Sequence, residues 1–214
     1  MKTLLTALAA TLLLVAPASA GSLLTSMKKP VEIASVDTKV GWLKVFGADN
    51  PAKADGQGRT AGTSKVARKL VVFTEKYPAG TIIVDNSERR LYHVMGDGLA
   101  MQYGVAVGRD GFRWTGVNKV SAKAEWPAWN PPEDMRAREA EKGHILPARM
   151  EGGKDNPLGA RALYLGQTEF RIHGTNQPNS IGKFASSGCI RMANADVEHL
   201  YAQVRIGATV IVRD

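Results

Sequence analysis

The sequence contains very little cysteine: one residue, Cys189, among 214. A single cysteine excludes a disulfide within the chain, so this thiol is not a structural cross-link. It is either a small buried apolar side chain or a working thiol. Three of the four histidines, His93, His144 and His199, lack metal-ligand spacing with one another or with Cys189. We therefore expect no metal and no cofactor.

Long hydrophobic runs are also missing. The apolar run from Leu4 to Val15 is the longest, and it falls short of the roughly 20 residues that cross a bilayer. Lys2 precedes this run, and the small residues Ala18 and Ala20 follow it, which is the pattern of a secretory signal peptide. We expect cleavage after Ala20 and export to the periplasm or cell envelope, rather than a membrane anchor.

Acidic residues are fewer than basic ones, 20 against 28, which leaves a net charge of +8. Such a charge favours anionic partners. The sequence has no RNA-binding aromatic signature and no recognition-helix pattern, so nucleic acid is not expected. In an exported protein, the remaining anionic candidates are carboxylate-bearing peptides, wall polymers and membrane surfaces.

The chain divides into three parts by composition. After the predicted signal peptide (1–20), an N-terminal segment and flexible linker (21–68) carries no recognisable chemistry. The remainder (69–214) alternates predicted strands and turns, which indicates one folded domain. Its predicted strands are 69–73, 80–85, 90–96, 100–108, 161–166, 169–174 and 208–213.

Turns separate the early strands, so they are predicted to form consecutive antiparallel hairpins. The stretch 110–159 is rich in Pro, Gly and Trp and is predicted to form long loops that line a site. One helix is predicted after Cys189, with Asn194 as its N-cap and Val197, Leu200 and Tyr201 on its apolar face. The fold class is therefore mostly β, with one clear helix near its end.

The segment RIHGTNQPNSIGKFASSGCIRM (171–192) carries the chemistry. A nucleophilic thiol needs a base, a group that orients the base, and donors aimed at the developing oxyanion. His173 ends a predicted strand and is the candidate base, because the following loop is long enough to return Cys189 to its side. Gly188 lets a carbonyl substrate approach the backbone N–H groups around Cys189.

The reactivity of the thiol depends on its protonation state, because the thiolate is the nucleophile. At an ordinary pKa near 8.5, only about 3% of a thiol is ionised at pH 7. An adjacent imidazolium that lowers the pKa of Cys189 to about 6 would ionise roughly 90% of it. Taken singly, Cys189 and His173 also fit structural roles, as a buried small residue and a satisfied core histidine.

Residues 80–213 resemble the L,D-transpeptidases of the YkuD type. The resemblance is carried by GTIIVD, LYHV, YGVAVG, EWPAW, NPLGARALYLG, RIHGTN and SSGCIRM. It implies that residues 69–214 are an L,D-transpeptidase catalytic domain with a β-sandwich or barrel fold. It also implies that Cys189 is the nucleophile, His173 the general base, and the carbonyl of Gly174 the group that orients the imidazole, with Gly188 beside the nucleophile.

One position departs from the family pattern: Ser187 stands where a second histidine is usual. Because the resemblance assigns the base to the earlier His173, we expect activity to survive. Arg191 is a candidate clamp for a substrate carboxylate, since guanidinium binds carboxylates in a fork, although a structural ion pair is an equal alternative. The other predicted substrate-binding residues are Ser186, Ser187, Asn176 and Trp129.

The resemblance implies a peptidoglycan L,D-transpeptidase. Its thiol would attack the bond between the L-centre of the third residue of a stem peptide and the D-Ala that follows, and an amine of another stem would accept the acyl group. Water, another amine or a wall-anchored protein are alternative acceptors, and a non-catalytic wall-binding module is a further alternative. A papain-like order is excluded, because there the cysteine precedes the histidine. Carbapenem-type β-lactams are the implied inhibitors.

Overall fold

The computed structural model describes residues 31–32 and 66–214. The predicted signal peptide, 1–20, and the predicted linker stretch 48–65 lie outside the described residues. Within the described part, no helix has both the length and the apolar character needed to cross a membrane.

Most of the described secondary structure is β-strand. The strands are β1 (Val31–Glu32), β2 (Lys69–Val72), β3 (Ile82–Asp85), β4 (Arg90–Gly96), β5 (Leu99–Gly104), β6 (Val107–Gly108), β7 (Gly116–Glu125), β8 (Arg161–Leu165), β9 (Arg171–His173), β10 (Phe184–Ser186), β11 (Ile190–Arg191) and β12 (Thr209–Arg213). The helices are α1 (Glu133–Ala140) and α2 (Asn194–Gln203), and Pro178–Ser180 forms one short 3-10 turn. The mostly β prediction is confirmed.

Ten of the strands form one mixed sheet, in the order β1-β2-β5-β4-β3-β12-β7-β8-β9-β11, and β6 pairs with β10. Strands β3, β4 and β5 form the predicted antiparallel hairpins. Strand β2 differs from the prediction, because it pairs with β5 rather than with β3, its neighbour in the sequence. Local turn signals do not report such a long-range pairing.

Strand β7 joins the two halves of the sheet. Its first residues pair with β12 and its later residues with β8, with an irregularity in register between Val120 and Ala122. Both halves bury side chains in one core, which includes Val84, Leu163 and Ile190. The arrangement is therefore sandwich-like. The two ends of the described sheet, β1 and β11, do not pair with each other, so the alternative prediction of a barrel is wrong.

The sequence predicts long loops over 110–159, but the structure places β7 and α1 in this stretch. In β7, Val120 is the one buried residue, and the others are exposed or half-buried. Helix α1 has no buried residue. Neither element therefore shows the apolar periodicity by which strands and helices are predicted.

Helix α2 is present as predicted, with Val197 and Leu200 buried, but its ends differ from the prediction. The Asn194 side chain forms no capping hydrogen bond. At the other end, Lys123 of β7 donates from Nζ to the carbonyls of Tyr201 at 2.6 Å and Val204 at 2.7 Å. A cation on these carbonyls stabilises the carboxyl end of the helix and fixes it against the sheet.

Candidate active site

The pairing of β9 with β11 brings the predicted base and nucleophile to one place. The two strands are parallel, with Ile190 opposite Ile172 and Arg191 opposite His173. Side chains alternate between the two faces of a strand. Ile172 and Ile190 are buried in the core, so His173, Arg191 and Cys189, which directly precedes β11, share the opposite face.

The return from β9 to β11 is an ordered segment. It contains the 3-10 turn Pro178–Ser180 and strand β10, which pairs in parallel with β6. The Met192 N–H then donates to the carbonyl of His173 at 2.8 Å. These contacts hold the nucleophile loop against β9.

A backbone carbonyl orients His173. The side chain is 4% exposed, and its Nδ1 lies 2.6 Å from the carbonyl oxygen of Gly174. Because a carbonyl only accepts, Nδ1 must carry the hydrogen, which leaves Nε2 as the proton acceptor in the neutral ring. Gly174 therefore stands where the resemblance requires the orienting group.

The imidazole of His173 is neutral at physiological pH. Burial, and then the Arg191 guanidinium, lower its pKa to about 3, while the backbone carbonyls of Gly174 and Leu158 act in the opposite direction. Desolvation disfavours the charged form of a buried histidine. The resting ring is therefore neutral, and it does not supply the imidazolium charge that would ionise the thiol.

The thiol of Cys189 is half-buried and lies 3.7 Å from the carbonyl oxygen of Glu169. Burial raises its pKa, and the positive charge of Arg171 is the largest influence in the opposite direction. Burial therefore acts against the lowered thiol pKa that an adjacent imidazolium would give. The resting pair is a neutral thiol and a neutral imidazole, so the thiol must lose its proton during the attack.

This resting state predicts how the thiol is alkylated. We expect the iodoacetamide rate at Cys189 to rise about tenfold per pH unit from pH 6 to beyond about 8.5, because only the thiolate reacts and its fraction grows below the raised pKa. Intact-mass kinetics over a pH series measure this rate, with free cysteine as the reference. A rate that is already constant near pH 6 would contradict the neutral pair.

Ser186 and Trp114 hold the loop that presents Cys189. The Ser186 hydroxyl donates to the carbonyl of Cys189 at 2.5 Å and accepts from the Gly188 N–H at 3.2 Å. Trp114 donates from Nε1 to the Gly188 carbonyl at 2.9 Å and stacks on Phe170 at 4.5 Å. Because Ser186 is 1% exposed and bonded inside the loop, its position favours shaping the loop over binding substrate.

Gly188 has φ +106°, and a Cβ there would lie 2.7 Å from the Phe170 ring. The position therefore requires glycine both for its backbone conformation and for space. Its N–H is occupied by Ser186. The Gly188 N–H is therefore engaged within the loop, and the N–H of Cys189 is a remaining candidate for the predicted oxyanion donor.

The other predicted substrate-binding residues lie at varying depth. Arg191 is half-buried and donates from Nη1 to Gln177 Oε1 at 3.5 Å. Ser187 is half-buried. Asn176 is exposed and donates to the carbonyl of Asp155 at 2.7 Å, and Trp129 is half-buried, in a β-bridge with Met150. Within residues 66–214, no cluster of metal-ligating side chains is found.

Asn194 belongs to the site and is not the predicted N-cap of α2. Its Oδ1 accepts hydrogen bonds from the N–H groups of Thr175 at 3.0 Å and Ala160 at 3.1 Å. It therefore holds the backbone directly after Gly174, whose carbonyl orients His173. An asparagine at a helix start has the same local signal whether it caps the helix or bonds a distant loop, so only the tertiary structure separates the two roles.

Comparison with known proteins identifies the family of the chain. A family model described as L,D-transpeptidase catalytic domain, YkuD, matches residues 79–212. Probable L,D-transpeptidase ErfK/SrfK of Escherichia coli is 36% identical over 138 residues, which is 62% of this chain and 44% of that protein. Putative L,D-transpeptidase YqjB of Bacillus subtilis is 34% identical over 62% of this chain and 70% of its own length.

A solved structure shares the fold. The crystal structure of an Enterococcus faecium L,D-transpeptidase aligns over 64% of this chain and 50% of that one, with a TM-score of 0.50 and 17% identity. At that identity the likeness concerns the fold alone. The chain spans about half the length of the curated enteric relatives that it matches.

Proposed function

Since the chain belongs to the family of YkuD L,D-transpeptidase catalytic domains, we propose that it is a cysteine acyltransferase that cross-links peptidoglycan stem peptides. One observation carries the proposal: a neutral His173, oriented by the Gly174 carbonyl at 2.6 Å, shares a strand face with the half-buried thiol of Cys189. This is the arrangement that a thiol nucleophile with a general base requires.

Acylation begins with a proton transfer. As Cys189 Sγ attacks the carbonyl carbon of the third residue of the donor stem, its proton passes to Nε2 of His173. The carbonyls of Gly174 and Leu158, which favour the charged ring, stabilise the imidazolium at this moment. The N–H of Cys189 donates to the oxyanion. The peptide C–N bond then breaks, and D-Ala leaves with the proton from His173.

The second half of the reaction reverses these roles. An amine of another stem attacks the thioester carbonyl and gives its proton to His173, the C–S bond breaks, and the thiol takes the proton back. The product is an amide that links the third residues of two stems. Water in place of the amine gives an L,D-carboxypeptidase, and a wall-anchored protein as donor or acceptor gives an amidase or an anchoring enzyme.

The cell envelope is the compartment in which this substrate occurs. The predicted signal peptide, with cleavage after Ala20, is consistent with export there. A single cysteine also suits an oxidising compartment, because the chain offers no second thiol for an internal disulfide.

The test is mass spectrometry of products formed by the purified protein from disaccharide-tetrapeptide. A cross-linked dimer that has lost one D-Ala supports the transpeptidase. If disaccharide-tripeptide is the only product, the activity is that of an L,D-carboxypeptidase and not of a transpeptidase. If the substrate is unchanged although the protein is folded, the proposed enzyme activity is wrong and a wall-binding module is favoured.

We also expect a carbapenem to form a stable adduct on Cys189, and a penicillin to do so far less well. A strained β-lactam carbonyl is an electrophile for a thiol beside a base and an oxyanion donor, and the preference for carbapenems follows from the family. Intact mass after incubation should rise by one drug molecule. An unmodified protein would contradict the expectation.

A further inference from the structure

Three arginine side chains, Arg109, Arg171 and Arg191, surround the nucleophile without a carboxylate partner. Within residues 66–214, none of the three forms an ion pair with an Asp or Glu side chain, whereas arginines such as Arg161 and Arg213 do. A guanidinium group near other cations and without a counter-ion is a site prepared for an anion. The three differ in where they stand relative to the thiol.

Arg171 stands on one side of Cys189. It is the first residue of β9, two positions before His173, so the alternation of the strand places it on the same face. Continuing the register of β9 and β11 by one residue sets Arg171 opposite Cys189. Its guanidinium lies over the Tyr164 ring at 5.5 Å, and its Nε is buried without a hydrogen-bond partner.

Arg191 and Arg109 stand on the other side. Arg191 directly follows Ile190, and its backbone bonds in both directions to Ala106. Arg109, three residues beyond Ala106, donates its N–H to the Ser186 carbonyl, and its guanidinium lies 4.4 Å from the Phe112 ring centre. Burial, and the like charge of Arg109, lower the pKa of Arg191.

Positive charge therefore stands on two sides of the reacting sulfur. Glu169 is the acidic side chain whose charge acts on the thiol, and it is exposed at the mouth of the site. A single carboxylate bound at Arg191 would leave the Arg171 guanidinium without a counter-ion. A donor with a carboxylate on each side of the scissile bond would pair both, and charge-assisted bonds to guanidinium are among the stronger ones in proteins.

We propose that Arg171 forms a subsite for a second carboxylate of the acyl donor, separate from the carboxylate for which Arg191 is the candidate clamp. The inference rests on the proposed acyl transfer and narrows its substrate class to peptides with at least two free carboxylates flanking the scissile bond. The Tyr164 ring packs against the guanidinium of Arg171, and the terminal nitrogens of Arg171 offer the fork that a carboxylate accepts.

The test combines substitution with amidation of the substrate. Tetrapeptide donors are synthesised with all carboxylates free, and with each carboxylate replaced in turn by a carboxamide. For the carboxylate read by Arg171, amidation should lower kcat/KM of the wild type by roughly 10- to 100-fold. Arg171→Gln should lower kcat/KM for the free donor by a similar factor, and amidation should then cost the variant almost nothing further.

Arg161→Gln is the matched control. Arg161 also lies 5.5 Å from a tyrosine ring, that of Tyr201, but it pairs with Glu125 and lies on the α2 face of the sheet. This variant should retain the full penalty for amidation. Arg171→Gln could instead lower kcat/KM equally for every donor and also change the alkylation rate of Cys189. This result would show that Arg171 acts on the thiol, and the proposed subsite would be wrong.

Failure of the proposed function gives a different result. If the wild type turns over none of the donors, acyl transfer itself is wrong. The wild type could instead turn over the free donor while Arg171→Gln lowers kcat/KM by the same factor whichever carboxylate of the donor is amidated. In that case acyl transfer stands and the second carboxylate subsite is wrong.

Discussion

Replacing Cys189 by alanine is expected to lower turnover of disaccharide-tetrapeptide by at least about a thousandfold, because covalent catalysis has no substitute for its nucleophile. The change removes only the sulfur. The hydrogen bond from Ser186 reaches the backbone carbonyl of residue 189, so the loop retains its shape. Product formation followed by mass spectrometry, with circular dichroism for the fold, measures the effect.

Ser187→Ala is the comparison for this experiment. Ser187 occupies the position of the usual second histidine, and the base is assigned to His173, so we expect a loss of no more than a few-fold. If Ser187→Ala abolished turnover while His173→Ala left it near the wild-type rate, the assignment of the base to His173 would be wrong.

Gly174→Ala is expected to reduce kcat by roughly a hundredfold and to destabilise the fold by about 1–3 kcal/mol. A Cβ at this position would lie 2.2 Å from Asn194 Oδ1 and 2.9 Å from the Ala160 nitrogen. Neither neighbour moves freely, because each is already bonded to the other. The backbone must therefore shift, and with it the carbonyl that orients His173.

The matched control for this substitution is Gly153→Ala. Gly153 has no heavy atom within 4 Å of its added Cβ and no positive φ, so activity and stability should remain close to those of the wild type. Urea unfolding and steady-state kinetics of both variants separate the two effects. A Gly174→Ala protein with the kinetics of the Gly153→Ala protein would show that the Gly174 carbonyl does not control the imidazole.

The sequence predicts part of this site well. His173, Cys189 and Gly174 belong to one short segment, and strand alternation and loop length are local properties that a sequence displays. The burial of the thiol is not local: it depends on Phe170, Trp114 and the loop around Ser186 meeting in space. For this reason the direction of the thiol pKa could not be predicted from the sequence, whereas the proximity of Cys189 to His173 could.

The remaining differences have the same physical origin. Most residues of β7 are exposed, and only Val120 is buried, although the strand pairs with β12 on one side and β8 on the other. The guanidinium of Arg171 shows its significance only when the register of β9 and β11 brings it opposite the nucleophile. Both depend on pairings between residues that are distant in the sequence.

The position of β12 has a consequence for how the domain assembles. This strand, the last in the sequence, lies in the interior of the sheet, parallel to β3 on one side and antiparallel to β7 on the other. Residues 209–213 therefore link β3 to β7, and this link stands beside the second connection between the two halves, which β6 makes with β10. Pairings between residues so distant in the sequence slow folding. Removal of these last five residues would leave β3 and β7 each without a partner strand on one side, although it would leave the pairing of β9 with β11 in place.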